Sequence, residues 1–259
     1  MITPTQRLQA ICGKSVQLNS TSLFSVKQYS LNKVLEKNYD VYNYYLRFLT
    51  ESPLKMIDKL KDTEVYMDLY MRRYEVTKLE MTIMLSHIDE VYKTLIEQAL
   101  NFFLDFDGMI QIETSSDRIL IIQSDNVEVM TSNVLQEIVD LLDFLHSISS
   151  QSKDDEDSNP YDEKAKIVLD RMRENREKIK SIKDMSGDNS QSSRGLHDLI
   201  SAITAKSNSI NKINILDLTI YQIYEEFNRL IRIESYYLSV KSVMNGAKDV
   251  KVENWDSPI

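Results

Sequence analysis

The sequence predicts a mainly helical α+β protein. Three observations carry that prediction. Gly and Pro are scarce, five and four in 259 residues, so few positions break a helix or reach positive φ cheaply. Apolar residues recur at threes and fours over most of the chain. In two places that period gives way to alternation between β-branched or aromatic and polar residues, the mark of a hairpin.

Residues 4–12 (PTQRLQAIC) read as a short helix ended by Gly13. The runs SVQLN at 15–19 and LFSVKQY at 23–29 alternate and predict a first β-hairpin. Ser30 then suits the cap of a helix over 31–50, whose Leu31, Val34, Leu35, Tyr42, Tyr45, Leu46 and Leu49 follow helical spacing. Pro53 suits the first turn of another helix. From 63 to 104 one long helical stretch is expected, broken once near Ser86, with Val65, Leu69, Tyr70, Tyr74, Leu79, Ile83, Ile88, Val91 and Leu95 on its apolar positions. Met109–Glu113 and Arg118–Gln123 flank a polar turn and predict a second hairpin, with an edge strand over 126–130. Ser132 or Asn133 caps a helix to about 148.

Composition then shifts. Residues 149–160 (SSQSKDDEDSNP) have the make-up of a linker, and 161–185 that of a highly charged helix with a thin apolar stripe of Val168, Met172, Ile179 and Ile182. Its Arg171, Arg173, Arg176, Lys178, Lys180 and Lys183 suit either a solvated face with i, i+4 pairs such as Glu174–Lys178 or a docking strip for an acidic partner. SGDNSQSSRG at 186–195 is a second linker. Leu196–Lys206 is a short helix, and Asp217 opens a last long one to about Asn245, stopped by Gly246. The expected organisation is an α+β N-terminal domain (1–150) with long helices and two short hairpins, a charged linker and connector helix (151–193), and a small all-α C-terminal module (194–259).

The chemistry of sites is sparse. The net charge is −9, and an acidic surface repels phosphates, which disfavours nucleic acid as a partner. A single cysteine, Cys12, allows no internal disulfide and no Cys-based zinc site; it fits a reducing compartment and is expected to be a small buried residue. No apolar run approaches the roughly 20 residues of a membrane span, and residues 1–13 lack a signal pattern. His87, His146 and His197 share no metal-ligand spacing. Asp105-Phe106-Asp107-Gly108 lacks the later oxygen ligands of a calcium loop and reads as a helix end turning into a strand. No nucleophile elbow or phosphate loop is present. The expectation is a non-enzyme with no catalytic, cofactor-binding or metal-binding residues. An enzyme would require His87 or His146 to converge with Asp105, Asp107 or Glu113 in a cleft.

The last helix is the most telling element. Tyr221, Tyr224, Phe227, Leu230, Tyr236 and Tyr237 form an aromatic and apolar set on a module too small to bury it alone. They are the candidate partner-binding residues, since interface anchors favour Tyr and other rigid aromatics.

The segment Asp217–Phe227 (DLTIYQIYEEF), with Gly246-Ala247-Lys248 and Trp255 after it, resembles the C-terminal domain of tail-assembly chaperone-like proteins from long-tailed phages of Gram-positive hosts. GKSVQLN, VKQYSLNKVL and NYDVYNYYLRFLT near the start resemble the beginning of such proteins. The resemblance implies a role in the bacterial cytoplasm: binding the long tape-measure protein, keeping its apolar helices in solution and helping to recruit tail tube subunits. It also leaves room for self-association. Two other roles use the same interaction chemistry, a structural virion protein of the tail, neck or capsid and a host-directed regulatory binding protein.

Overall fold

The computed structural model describes residues 2–61, 63–123, 126–146, 195–246, 252 and 254–256. The linker at 149–160, the charged helix over 161–185 and most of the second linker lie outside the described residues. The described part is mainly helical α+β, with ten α-helices and two three-stranded antiparallel sheets.

Helix α1 (Pro4–Ile11) starts with Pro4 in its first turn and a reciprocal capping box between Thr3 and Gln6. Gly13 follows at φ 66°. Cys12 is the cap residue of α1 and is exposed, not buried as expected. The first hairpin forms, but with short strands: β1 (Val16–Gln17) pairs with β2 (Ser25–Val26). Its third strand comes from far along the chain, β3 (Leu104–Asp105), laid against β2.

The expected helix over 31–50 is two helices, α2 (Leu31–Glu36) and α3 (Tyr39–Thr50). They break at Asn38, which sits at φ 74°, ψ 111° and caps α3 by accepting from the Asp40 amide. Asn tolerates positive φ better than most residues, and its short amide competes with helix continuation. Helix α4 (Pro53–Asp58) begins at Pro53 as expected.

The long stretch expected over 63–104 is three helices, α5 (Tyr66–Met71), α6 (Lys78–Ile88) and α7 (Glu90–Phe103). The break after α6 lies at Asp89, whose carboxylate accepts from the Val91 amide and starts α7. This is three residues past Ser86, near which one break is expected; Ser86 itself is buried within α6 with its hydroxyl on the Thr82 carbonyl. Val65, Tyr70, Tyr74, Ile88 and Val91, read as inward positions, are exposed.

The second sheet is β4 (Met109–Glu113), β5 (Arg118–Gln123) and β6 (Asn126–Val129). Its register sets Ile110 against Ile121 and Ile112 against Ile119, all four buried, while Met109, Gln111 and Glu113 face out. The turn is one 3₁₀ turn (Thr114–Ser116) closed by Asp117 at φ 54°. Gly108 precedes β4 so closely to the Ile122 carbonyl that a Cβ there would collide with it. Helix α8 (Ser132–His146) follows, and the hydroxyl of Thr131, rather than Ser132 or Asn133, accepts from the Val134 amide at its start.

α8 is the central helix. Val134, Leu135, Ile138, Leu141, Leu142 and Leu145 are buried in one continuous cluster with α3, α6, α7 and both sheets. The C-terminal helices α9 (Leu196–Lys206) and α10 (Ile220–Met244) join it: Leu196, Leu199, Ile203, Ile215, Ile220 and Ile223 belong to the same core. The described residues contain no helix long and apolar enough to cross a membrane.

Candidate partner-binding surface

α10 is fastened at its start. A 3₁₀ turn (Asn214–Asp217) leads to Thr219, not Asp217, as the cap. Thr219 and Gln222 form a capping box. Gln222 Nε2 also donates to the Ile11 carbonyl (2.8 Å), and the Thr219 hydroxyl donates to Gln28 Oε1 (3.2 Å). Leu31 N donates to the Leu218 carbonyl, and Ser30 and Thr219 form an isolated antiparallel bridge. These bonds tie the C-terminal module to residues 11–31 over a long sequence separation.

Four of the six candidate residues follow from this docking. Tyr221, Tyr224, Phe227 and Leu230 are half-buried against the core, and the Tyr221 ring lies 5.0 Å from that of Phe144 on α8. Partial burial, with Glu225 beside it, pushes the Tyr221 phenol up. Tyr236 and Tyr237 lie outside that contact. Their rings meet edge to face at 5.9 Å; Tyr236 is half-buried and Tyr237 is 63% exposed. The six residues are therefore divided between two environments on one helix.

Past Leu230 the solvent side of α10 mixes exposed apolar residues with Ser235 and Lys241. Ile231, Leu238, Val243 and Met244 are exposed together with Tyr237. On another side, Arg229 donates to the Trp255 carbonyl (2.8 Å) and pairs with Glu225, so the tail meets the helix there. Lys206 at the end of α9 meets Glu234 at 2.7 Å. Gly246 at φ 83° follows the helix end. Leu238, one heptad on from Ile231, is the exposed apolar residue of this half that the aromatic spacing does not point to.

A second exposed apolar surface lies on α5. Val65, Met67, Tyr70, Met71 and Tyr74 all face solvent, and the Arg73 guanidinium lies 4.5 Å and 4.6 Å from the rings of Tyr70 and Tyr74. The segment YMDLYMRRY carries more apolar residues than the one fully buried position of α5, Leu69, can shelter. That surplus was the available signal.

His87 and His146 do not converge with Asp105 or Glu113 in a cleft. His87 bonds Asp117 at 2.5 Å on the surface. His146 is buried and bonds Tyr42 and the Leu142 carbonyl. Asp105 instead meets Ser15 and Lys27, and Glu113 meets Ser116. Beside His146 is a cavity of about 10 Å³, room for one water, lined by Tyr29, Tyr42, Leu145 and Tyr221 among others. An open polar cleft runs along α8 by Gln6, Asn133, Gln136, Glu137 and Asp140. There the Glu137 carboxylate is held by the Asn19 and Ser20 amides at 2.7 Å and 2.9 Å. Partial burial would raise its pKa, but the bonds from Ser20, Asn19 and Gln6 outweigh that and keep it low. Among the described residues no group of three or more His, Cys, Asp or Glu is placed to hold a metal ion.

The family model of the YomV second domain matches residues 189–259, the span that takes in α9 and α10. That likeness points to a phage-related protein. No curated protein and no solved structure matches the chain.

Proposed function

We propose that this phage-related chain is a tail-assembly chaperone that binds the tape-measure protein and helps recruit tail tube subunits. The observation that supports the reading is the outer half of α10, where Ile231, Tyr237, Leu238 and Met244 are all exposed on a helix whose inner half is anchored in the core. Singly scattered exposed apolar residues are ordinary, but several gathered on the outer half of one helix mark a surface suited to a partner.

The division along α10 assigns roles. Tyr221, Tyr224, Phe227 and Leu230 seat the helix on the core, Tyr221 against Phe144 of α8. Tyr236 and Tyr237, with Leu238, offer the client an apolar face whose aromatic members are rigid. The client chemistry is an amphipathic helix that would otherwise aggregate, taken up helix against helix. The exposed methionines of α5, Met67 and Met71, suit the same clients, because thioether side chains adapt to irregular apolar surfaces. No step of the role needs a bound metal, a cofactor or a nucleophile.

Co-expression of the chain with the tape-measure protein of the same phage tests the reading. The expected result is a soluble tape measure that co-elutes with the chain. An insoluble tape measure with no complex rejects it. Mass spectrometry of purified particles separates a departing chaperone, absent from the particle, from a structural virion protein, present in fixed stoichiometry.

A further inference from the structure

We infer that the free edge of the second sheet, strand β6, takes up an extended segment of another protein whose residues alternate apolar, basic, apolar. The direction of the backbone groups carries the argument. Val129 stands opposite Leu120, so Met130 follows opposite Ile119, and the Met130 amide donates to the Ile119 carbonyl (2.8 Å). In an antiparallel ladder, bonded and non-bonded pairs alternate. Ile121–Glu128 is therefore a bonded pair, while Leu120–Val129 and Ile122–Val127 are not. Val127 and Val129 thus aim their N–H and C=O groups away from β5. Among the described residues no strand or side chain bonds to these groups.

The opposite edge of the same sheet is closed. There Asn101 on α7 accepts from the Ile110 amide (2.8 Å) and donates to the Ile110 carbonyl (3.0 Å), and Glu97 accepts from the Ile112 amide (2.6 Å). An open edge is a template for a further strand, and the side chains of β6 fix its kind. Val127 and Val129, 62% and 47% exposed, share the outer face with Ile122 and Leu120 and with Met109 and Gln111 beyond them. The buried isoleucines of β4 and β5 occupy the other face. Residues of an added strand opposite Val127 and Val129 extend this outer apolar face, where β-branched side chains pack well. Glu128, between them, is exposed and turned to the other face. A Lys or Arg is the complement of that carboxylate across the strand pair.

A second copy of this chain fits the edge poorly. The two-fold antiparallel register that uses both valines pairs Val127 with Val129 of the second copy and sets Glu128 directly against its counterpart. Like charges in that position destabilise a strand pair. A shift of two residues parts the carboxylates but leaves one bonded pair within β6 instead of two. Glu128 therefore guards the edge against self-pairing and admits a basic segment, which the net charge of −9 also favours. The site lies apart from α10 and does not depend on the client proposed above: it takes the backbone of an extended segment rather than the apolar face of a helix.

An NMR titration of the full isotope-labelled chain with the capped peptide Ser-Val-Lys-Val-Ser, whose order reads the same in both directions, tests it. The expected result is that the Val127 and Val129 amides shift and gain protection from hydrogen exchange, with a dissociation constant on the order of 1 mM. The peptide with Glu in place of Lys binds about fivefold more weakly, and Glu128→Lys in the chain reverses that preference. Val129→Pro removes an N–H that the ladder does not use, which an edge strand tolerates, and abolishes binding. If Val129→Pro fails to fold, Glu128→Lys, at an exposed position, still decides. Unmoved Val127 and Val129 amides at about 5 mM peptide, equal binding of the two peptides, or a preference unchanged by Glu128→Lys overturns the inference. Concentration-dependent protection of the same amides in the chain alone, the mark of a second copy on the edge, overturns it too. None of these outcomes bears on whether the tape measure is a client, which co-expression decides by itself.

Discussion

The phenol of Tyr42 on α3 donates to Nε2 of His146 on α8 across 2.6 Å, in a site that solvent hardly reaches. The direction follows from the other ring nitrogen. Nδ1 lies 2.7 Å from the Leu142 carbonyl, which can only accept, so Nδ1 carries the proton and Nε2 is left to receive the phenol. The Tyr42 ring also meets Phe102 and Phe103 edge to face. The pair thus clamps α3 to α8 close to where Tyr221 brings in α10.

This pair predicts acid sensitivity. Burial lowers the His146 pKa from 6.5 to about 4, with the bond to Leu142 opposing it. The unfolded chain therefore binds the extra proton between those two values. Stability is unaffected by His146 above about pH 6.5 and falls as pH drops toward 4, by about 3 kcal/mol at most. Asp143 runs the other way: burial, with Asp140 nearby, raises it from 3.8 to about 6, so its favourable contribution fades as pH rises through 6. Denaturant midpoints of wild type and His146→Phe across pH 4–7.5 separate the two. The difference should shrink as pH falls, and His146→Phe should cost about 1–3 kcal/mol at pH 7.5 by leaving the Tyr42 hydroxyl unpartnered.

Lys78 is a charge kept inside at a cost. It is 4% exposed, and its ammonium donates to the Glu51 carbonyl (2.6 Å) and contacts Met56 sulfur (3.3 Å). Burial lowers its pKa from 10.5 to about 8. Because the folded value lies below the unfolded one, stability rises with pH between about 8 and 10.5. Lys78→Met should remove that rise and stabilise the fold at pH 7 by about 1–3 kcal/mol. Urea titrations at pH 7, 9 and 10 measure both effects.

The two halves of α10 should respond differently to truncation. Ile223 is fully buried, and Ile223→Ala should cost about 2–5 kcal/mol. Tyr237→Ala, at an exposed position, should change stability by no more than about 0.5 kcal/mol. Equal losses in guanidinium melts would mean that the outer half packs inward in solution.

The cap of α10 should matter beyond its helix. Thr219→Ala removes the hydroxyl that serves Gln222 and Gln28, and should cost about 1–2 kcal/mol. Thr219→Ser should restore most of the loss. Hydrogen exchange should show the first turns of α10 opening sooner in the Ala variant.

Much of this fold could be read from the residues, and the failures have physical causes. The strands Met109–Glu113 and Arg118–Gln123 appear with the bounds their alternation predicts, because each must bury one face. The break at Asn38 escapes the sequence pattern and the one expected near Ser86 falls three residues later at Asp89, because the apolar period runs through both; short polar side chains there cap a new helix instead of continuing the old one. Strand β3 was missed because two residues carry no period at all. Of the candidate surface, the helix was legible but not its two halves. Nothing in the repeat of Tyr221, Tyr224 and Phe227 reveals that they pack against the core while Tyr237 remains in solvent.

The most direct measurement is the solubility of the tape-measure protein when co-expressed with wild type and with the double substitution Tyr237→Ser, Leu238→Ser. Both chains should fold equally well. The account predicts that wild type keeps the tape measure in the soluble fraction and that the double variant loses most of it to the pellet. Equal solubility with both chains, or none with either, would contradict it.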